Sequence, residues 1–195
     1  MIRSIVLAAF AVLTLPTLAW AKMPDPRFSS VDAVVYGDPD GSREFRVTAR
    51  DINGAPLNAA LITLDFSASP ARLYAEQEPG TILDCAKRTL SRYTGRDGLA
   101  VFHPRFGGGC TSPSVLVLGD EFFRLREVPA RSTDLDGMNA CVNVSDLATF
   151  ASALLYSPDG HPELDFDGSG GRIGLSDLAR LADGLLRGTK GSYCP

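Results

Sequence analysis

Histidine is scarce in this 195-residue chain, with only His103 and His161, and its four cysteines form no Cys-x-x-Cys pair. That combination argues against a zinc site built from nitrogen and sulfur ligands. No Gly-x-Ser-x-Gly elbow occurs, so a serine hydrolase has no support. Gly107-Gly108-Gly109 is not followed by the Lys-Ser/Thr of a phosphate loop and reads as a turn. Asp65, Glu76, Glu78 and Asp84 lie near one another, but nothing aims two of them at one cleft as glycoside cleavage requires. The chain therefore reads as non-enzymatic. A net charge of −4 is too mild for a nucleic-acid partner. What is present is a 45% hydrophobic composition, enough for one domain or two small ones with true cores.

The first residues predict export. Arg3 supplies a positive start, Ile5 to Leu15 an apolar run, and Ala19-Trp20-Ala21 a small-x-small cleavage site. Together they predict a secretory signal peptide over residues 1–21, removed after Ala21. The apolar run is short for a span of roughly 20 residues, and Pro16 breaks it. No later stretch is apolar enough to cross a bilayer, so no membrane span is expected after cleavage. The expected location is extracellular, at the cell surface or in a periplasm. Such compartments permit disulfides, and Cys85, Cys110, Cys141 and Cys194 allow three connectivities.

Residues 22–129 predict short strands between turn signals. Asp32–Tyr36, Glu44–Ala49, Ala60–Phe66, Leu99–Phe102, Ser114–Leu118 and Phe122–Val128 carry the β-rich patterns. Asn53-Gly54 and Asp97-Gly98 are tight-turn dipeptides, and Gly119-Asp120 joins the last two runs as a hairpin. Strands at this spacing favour an antiparallel sandwich. The segment Val47-Thr48-Ala49-Arg50-Asp51-Ile52-Asn53-Gly54-Ala55-Pro56-Leu57-Asn58-Ala59 resembles the strand and D-x-N-G-x-P turn of bacterial Ig-like domains of the invasin and intimin kind. Thr94-Gly95-Arg96-Asp97-Gly98-Leu99-Ala100-Val101-Phe102 resembles their T-x-x-x-G-x-A-x-F strand entry. The likeness implies an Ig-like β-sandwich over 22–129, a spacer or adhesive module, with Ser67 to Thr89 as an excursion.

The C-terminal segment repeats itself. Asp134-Leu135-Asp136-Gly137 recurs as Asp165-Phe166-Asp167-Gly168, and Ser145-Asp146-Leu147-Ala148 as Ser176-Asp177-Leu178-Ala179, at one offset of 31 residues. Ten of the 22 aligned positions from 134 to 155 are identical, which identifies two copies of one unit. From residue 130 onward 9 acidic side chains face 5 basic ones, against 14 and 13 over residues 22–129. In each unit two loop aspartates and a closing aspartate from the next helix, Asp146 or Asp177, would surround a small centre. Calcium wants six to eight such hard oxygens. Leu147, Phe150, Ala151, Leu154 and Leu155 follow helical spacing, as do Leu178, Leu181, Ala182, Leu185 and Leu186. Ser145 and Ser176 are candidate helix caps, and Val142 and Ile173 are expected to bury together.

These units resemble dockerin modules, whose duplicated loop-helix repeats bind calcium through half of an EF-hand. The resemblance covers 132 to about 188 of an expected module over 130–195. It implies calcium ligands at Asp134, Asp136, Asn139 and Asp146, and at Asp165, Asp167, Ser169 and Asp177. Both loops are one residue longer than the usual twelve, and the familiar Ser-Thr recognition pair is Val144-Ser145 and Leu175-Ser176 here. A cohesin-like or other extracellular protein is the implied partner. Pairing Cys85 with Cys110 and Cys141 with Cys194 keeps each bridge inside one expected domain. Two rival readings stand beside this one: a structural or anchoring protein that calcium merely staples, and an accessory of polysaccharide breakdown or carbohydrate binding.

Overall fold

A computed structural model describes residues 23–108, 110–120, 123–137, 141–170, 172–187 and 191–195, with the backbone alone at 110–113. The expected signal peptide and Asn139 lie outside the described residues. The protein is mainly β with a small helical part. The strands are β1 (Ser30–Val31), β2 (Val35–Gly37), β3 (Phe45–Thr48), β4 (Leu61–Asp65), β5 (Arg72–Leu73), β6 (Ile82–Asp84), β7 (Thr89–Tyr93), β8 (Leu99–Phe102), β9 (Phe106–Gly107), β10 (Cys110–Gly119) and β11 (Phe123–Ser132). Two helices follow, α1 (Val144–Tyr156) and α2 (Leu175–Arg187), with a 3-10 turn over Pro162–Leu164 between them. No helix among the described residues is long and apolar enough to cross a membrane.

Three sheets organise the β body. One has the order β1-β3-β8, one β2-β11-β10-β4-β7-β6, and β5 pairs with β9. Pairings are antiparallel except that of β2 with β11, which is parallel. Alternation decides which side chains turn inward. Phe45 and Val47 of β3 and Ala100 and Phe102 of β8 are buried, as are Val115 and Val117 of β10 and Val128 and Ala130 of β11. Both larger sheets bury these faces in one cluster. The β10–β11 tip is tied to β4, because Asp120 takes the Leu61 N–H on its carboxylate and gives its own N–H to the Leu61 carbonyl. Gly54 and Gly98 adopt φ of +78° in their turns, as the Asn-Gly and Asp-Gly pairs require.

A second, smaller core lies among the repeats. It buries Val142, Phe150, Ala153, Leu164, Phe166, Ile173 and Leu181, with Phe150 and Phe166 stacked at 5.9 Å. Val142 and Ile173 bury in it together, as their pattern predicts. Leu155 and Leu186 do not: both stand exposed at the ends of their helices.

Two features depart from expectation. Strand β11 runs to Ser132, three residues past the expected domain boundary, and leads straight into the first acidic loop. The C-terminal tail then turns back onto the β body. Ala75 donates to the Ser192 carbonyl, Cys194 donates to the Leu73 carbonyl, and Tyr74 and Tyr193 form an antiparallel bridge. This pairing brings Cys194 to Cys85, with Cα atoms 5.4 Å apart, and the two form a disulfide. The expected Cys85–Cys110 and Cys141–Cys194 bridges are thereby corrected. Keeping each bridge inside one domain failed because the tail adds backbone pairs to the other one.

Candidate metal centres

Each acidic triad forms as a unit. One carboxylate oxygen each from Asp134, Asp136 and Asp146 lie within 4.8 Å of one another, and so do those of Asp165, Asp167 and Asp177. Asp134, Asp146, Asp165 and Asp177 are all buried. Burying carboxylates without a compensating charge is costly, so their convergence needs a physical account.

Backbone donors hold the first triad. Asp146 Oδ1 accepts the Leu135 and Asp136 N–H groups at 2.7 and 3.1 Å, and Oδ2 accepts the Asn143 N–H at 2.8 Å. The last bond is half of a capping box at the start of α1. The cap itself is Asn143, whose Oδ1 takes the Ser145 N–H at 2.7 Å, in place of the expected Ser145. The Ser145 hydroxyl donates instead to Asp136 Oδ2 at 2.6 Å. Asp146 is therefore both the reciprocal member of the capping box and a triad member. Gly137 takes φ of +59°, which lets its N–H reach Asp134 Oδ1 at 3.1 Å.

The second triad repeats this plan. Asp177 Oδ1 accepts the Asp167 N–H at 3.0 Å and Oδ2 the Gly174 N–H at 2.9 Å. Gly168 adopts φ of +73°. Ser169, expected as a ligand, gives its backbone N–H to Asp165 Oδ1 and Asp167 Oδ1 at 3.1 and 2.8 Å.

The β body reaches into both loops, which the sequence reading missed. At the first, the Tyr74 and Tyr193 hydroxyls both donate to Asp134 Oδ2, at 2.7 and 2.5 Å. Gly108 donates its N–H to the Asp134 carbonyl at 2.6 Å. A Cβ at neighbouring Gly107 would collide with the Tyr193 hydroxyl and the Asp134 carboxylate, so only glycine fits there. At the second, Arg131 of β11 donates Nη1 to the Asp165 carbonyl at 2.7 Å and pairs with Asp165 Oδ2 at 3.3 Å. Tyr193 adjoins Cys194 in sequence and reaches the first loop through the Cys85–Cys194 pairing, one of three connectivities between which the sequence does not choose.

Electrostatics agree with the crowding. Burial pushes the Asp134 carboxyl above its ordinary range, against its tyrosine and Gly137 donors, and the Asp146 charge adds to the rise. Burial raises Asp146 too, opposed by its three N–H donors and reinforced by Asp136. Asp167, at the surface, is held well below the usual carboxylate range, first by the Ser176 hydroxyl. Two carboxyls in the first triad thus resist ionisation as they stand. A divalent cation among them would remove that penalty, and the all-oxygen donor set suits calcium or magnesium over softer metals. Compared with protein-family models, with curated proteins and with solved structures, the chain matches none of them.

Proposed function

We propose that this is an exported, non-catalytic protein in which an Ig-like sandwich precedes a dockerin-like module that binds two calcium ions. One observation carries the reading: the same three aspartates converge in both copies of a repeat, four of the six side chains being buried. Buried carboxylates gathered twice at under 5 Å are unfavourable unless a cation neutralises them. Asp134, Asp136 and Asp146 would hold one ion, and Asp165, Asp167 and Asp177 the other, with calcium supplying charge neutralisation. The small core between the helices supports a role for calcium in their folding.

Calcium-dependent binding of an extracellular protein is the function this arrangement serves. Val144 and Leu175 open their helices 74% and 79% exposed, and Leu155 and Leu186 end them 73% and 86% exposed. Each pair is related by the 31-residue offset, so the repeat presents equivalent apolar residues twice. Circular dichroism tests the calcium requirement: helical signal is expected to fall when chelator replaces calcium. An unchanged spectrum and melting curve refute it.

A structural reading has its own support. The Cys85–Cys194 bridge, the Tyr–Asp134 bonds, Arg131–Asp165 and Arg187–Asp40 all tie the module to the β body. In that case calcium staples the two together and no partner follows. Pull-down from the secretome of the source organism, with calcium and with chelator, separates the two. A calcium-dependent partner favours the first.

A further inference from the structure

The C-terminal tail enters the first centre from outside the repeat. We propose that Tyr193 is a positioning residue for the Asp134 carboxylate, held there by the Cys85–Cys194 bridge, so that the bridge and a calcium ion at the first centre strengthen one another. This inference rests on the calcium reading above and adds to it the segment that completes the centre.

Three donors orient the Asp134 side chain. Gly137 gives its N–H to Oδ1 from within the loop, and the Tyr74 and Tyr193 hydroxyls donate to Oδ2. Outer partners of this kind fix the direction of a metal-binding carboxylate, and losing one costs about 10–100-fold in metal affinity. The fit is close, since a Cβ added at Gly107 would overlap both the Tyr193 hydroxyl and the Asp134 carboxylate. The Tyr193 ring is itself held. Tyr74 meets it edge-on at 5.0 Å, and the Arg72 guanidinium lies over it at 4.3 Å while donating to the Gly137 carbonyl at 3.1 Å. Ring, guanidinium and loop thus form one packed unit.

The tail docks through two backbone bonds beside β5 and through Ser192, whose N–H and hydroxyl both donate to the Glu76 carboxylate. Ordering so short a segment costs backbone entropy, and a covalent tie one residue beyond Tyr193 reduces that cost. Cys85 and Cys194 are half-buried beside a surface groove lined by Ser69, Arg88 and Pro195, where a small dithiol can reach the bridge. Reduction takes two electrons and two protons from that dithiol: the S–S bond breaks, two thiols form, and the dithiol closes to its cyclic disulfide. Coupling between bridge and ion is reciprocal. Whatever factor the bridge adds to calcium affinity, calcium adds to the bridge's resistance to reduction. At the second centre the outside support of Asp165 is Arg131, which belongs to β11 and not to the tail, so that centre serves as the control.

Calorimetric titration of calcium chloride into chelator-stripped full-length protein tests this, with Asp165→Asn isolating the first centre and Asp134→Asn the second. Tyr193→Phe keeps the ring and removes the hydroxyl. It should weaken the first centre about tenfold or more and leave the second unchanged. Changing Cys85 and Cys194 together to serine, or adding dithiothreitol, should do the same. In the reverse direction, calcium should shift the thiol–disulfide equilibrium of the Asp165→Asn protein toward the bridge by the same factor, about 30 mV for each tenfold, read by thiol alkylation in dithiothreitol redox buffers. A first centre unmoved by Tyr193→Phe, a bridge whose potential ignores calcium, or equal weakening of both centres when the bridge opens overturns the inference while the calcium reading stands. Should the double serine variant not fold, Tyr193→Phe and the potential decide. Absence of calcium binding at either triad defeats the calcium reading and this inference with it.

Discussion

Replacing Asp146 with asparagine separates two jobs that this side chain performs at once. Asp146 accepts three backbone N–H groups, among them the Asn143 N–H that closes the capping box. An amide of the same shape has one oxygen and one NH2, so at least one buried N–H loses its acceptor. Hydrogen bonds to a charged group contribute about 1.5–3 kcal/mol each. As a cap alone, Asp146→Asn should then cost that much under every condition. As a triad member, Asp146 also faces Asp134 at no more than 4.8 Å without a metal. At an effective dielectric of about 20 that repulsion is roughly 3.5 kcal/mol. Losing the charge relieves it, so in chelator the variant should be near neutral in stability. In saturating calcium the relief vanishes, a ligand is lost, and the full cost of the broken bonds remains. Urea unfolding followed by circular dichroism should show a difference of about 3 kcal/mol between the variant's effects in the two buffers. Equal destabilisation in calcium and in chelator refutes the metal role and leaves Asp146 as a helix cap.

Other expectations are narrower. Leu181→Ala opens the small core, where Leu181 is 1% exposed, and should cost about 2–5 kcal/mol; Leu186→Ala, on the open surface, should stay within about 0.5 kcal/mol by the same unfolding assay. Changing Cys85 and Cys194 together to serine removes a bridge across 109 residues and should lower stability by about 2–5 kcal/mol, with a matching fall in melting temperature. Acidity should act in opposite directions on the two forms. The Asp134 and Asp146 carboxyls titrate above their unfolded value, so the folded metal-free protein holds more protons than the unfolded chain between those values. Their contribution to metal-free stability is thus present below the unfolded value near 3.8 and lost as pH rises through the folded one. Calcium-loaded protein should instead lose its metal stabilisation on acidification, because protons compete for the same oxygens. Thermal melts across that pH range, with calcium and with chelator, report both slopes.

What the sequence made legible was local. The 31-residue repeat located both triads, because loop aspartates, a positive-φ glycine and a closing aspartate in the next helix turn all lie within a dozen or so residues. Helical spacing placed α1 and α2, although it also assigned Leu155 and Leu186 to a buried face that ends before them. Alternation found β3, β4, β8 and the β10–β11 hairpin. It could not find β5 or β6, which at two and three residues are too short to show a period and lie within the expected excursion. The missing parts of the first centre are contacts between distant segments. Tyr74 and Tyr193 meet at Asp134 only because the tail pairs beside β5, and nothing in the spacing of the cysteines announces that pairing. The assumption that each bridge stays within its own domain pointed away from it.

Calcium content after equilibrium dialysis against micromolar calcium, read by atomic emission, bears most directly on the metal centres. Two ions per chain are expected for the wild type and one for either Asp134→Asn or Asp165→Asn. Calcium no higher in the protein compartment than in the dialysis buffer would contradict the account.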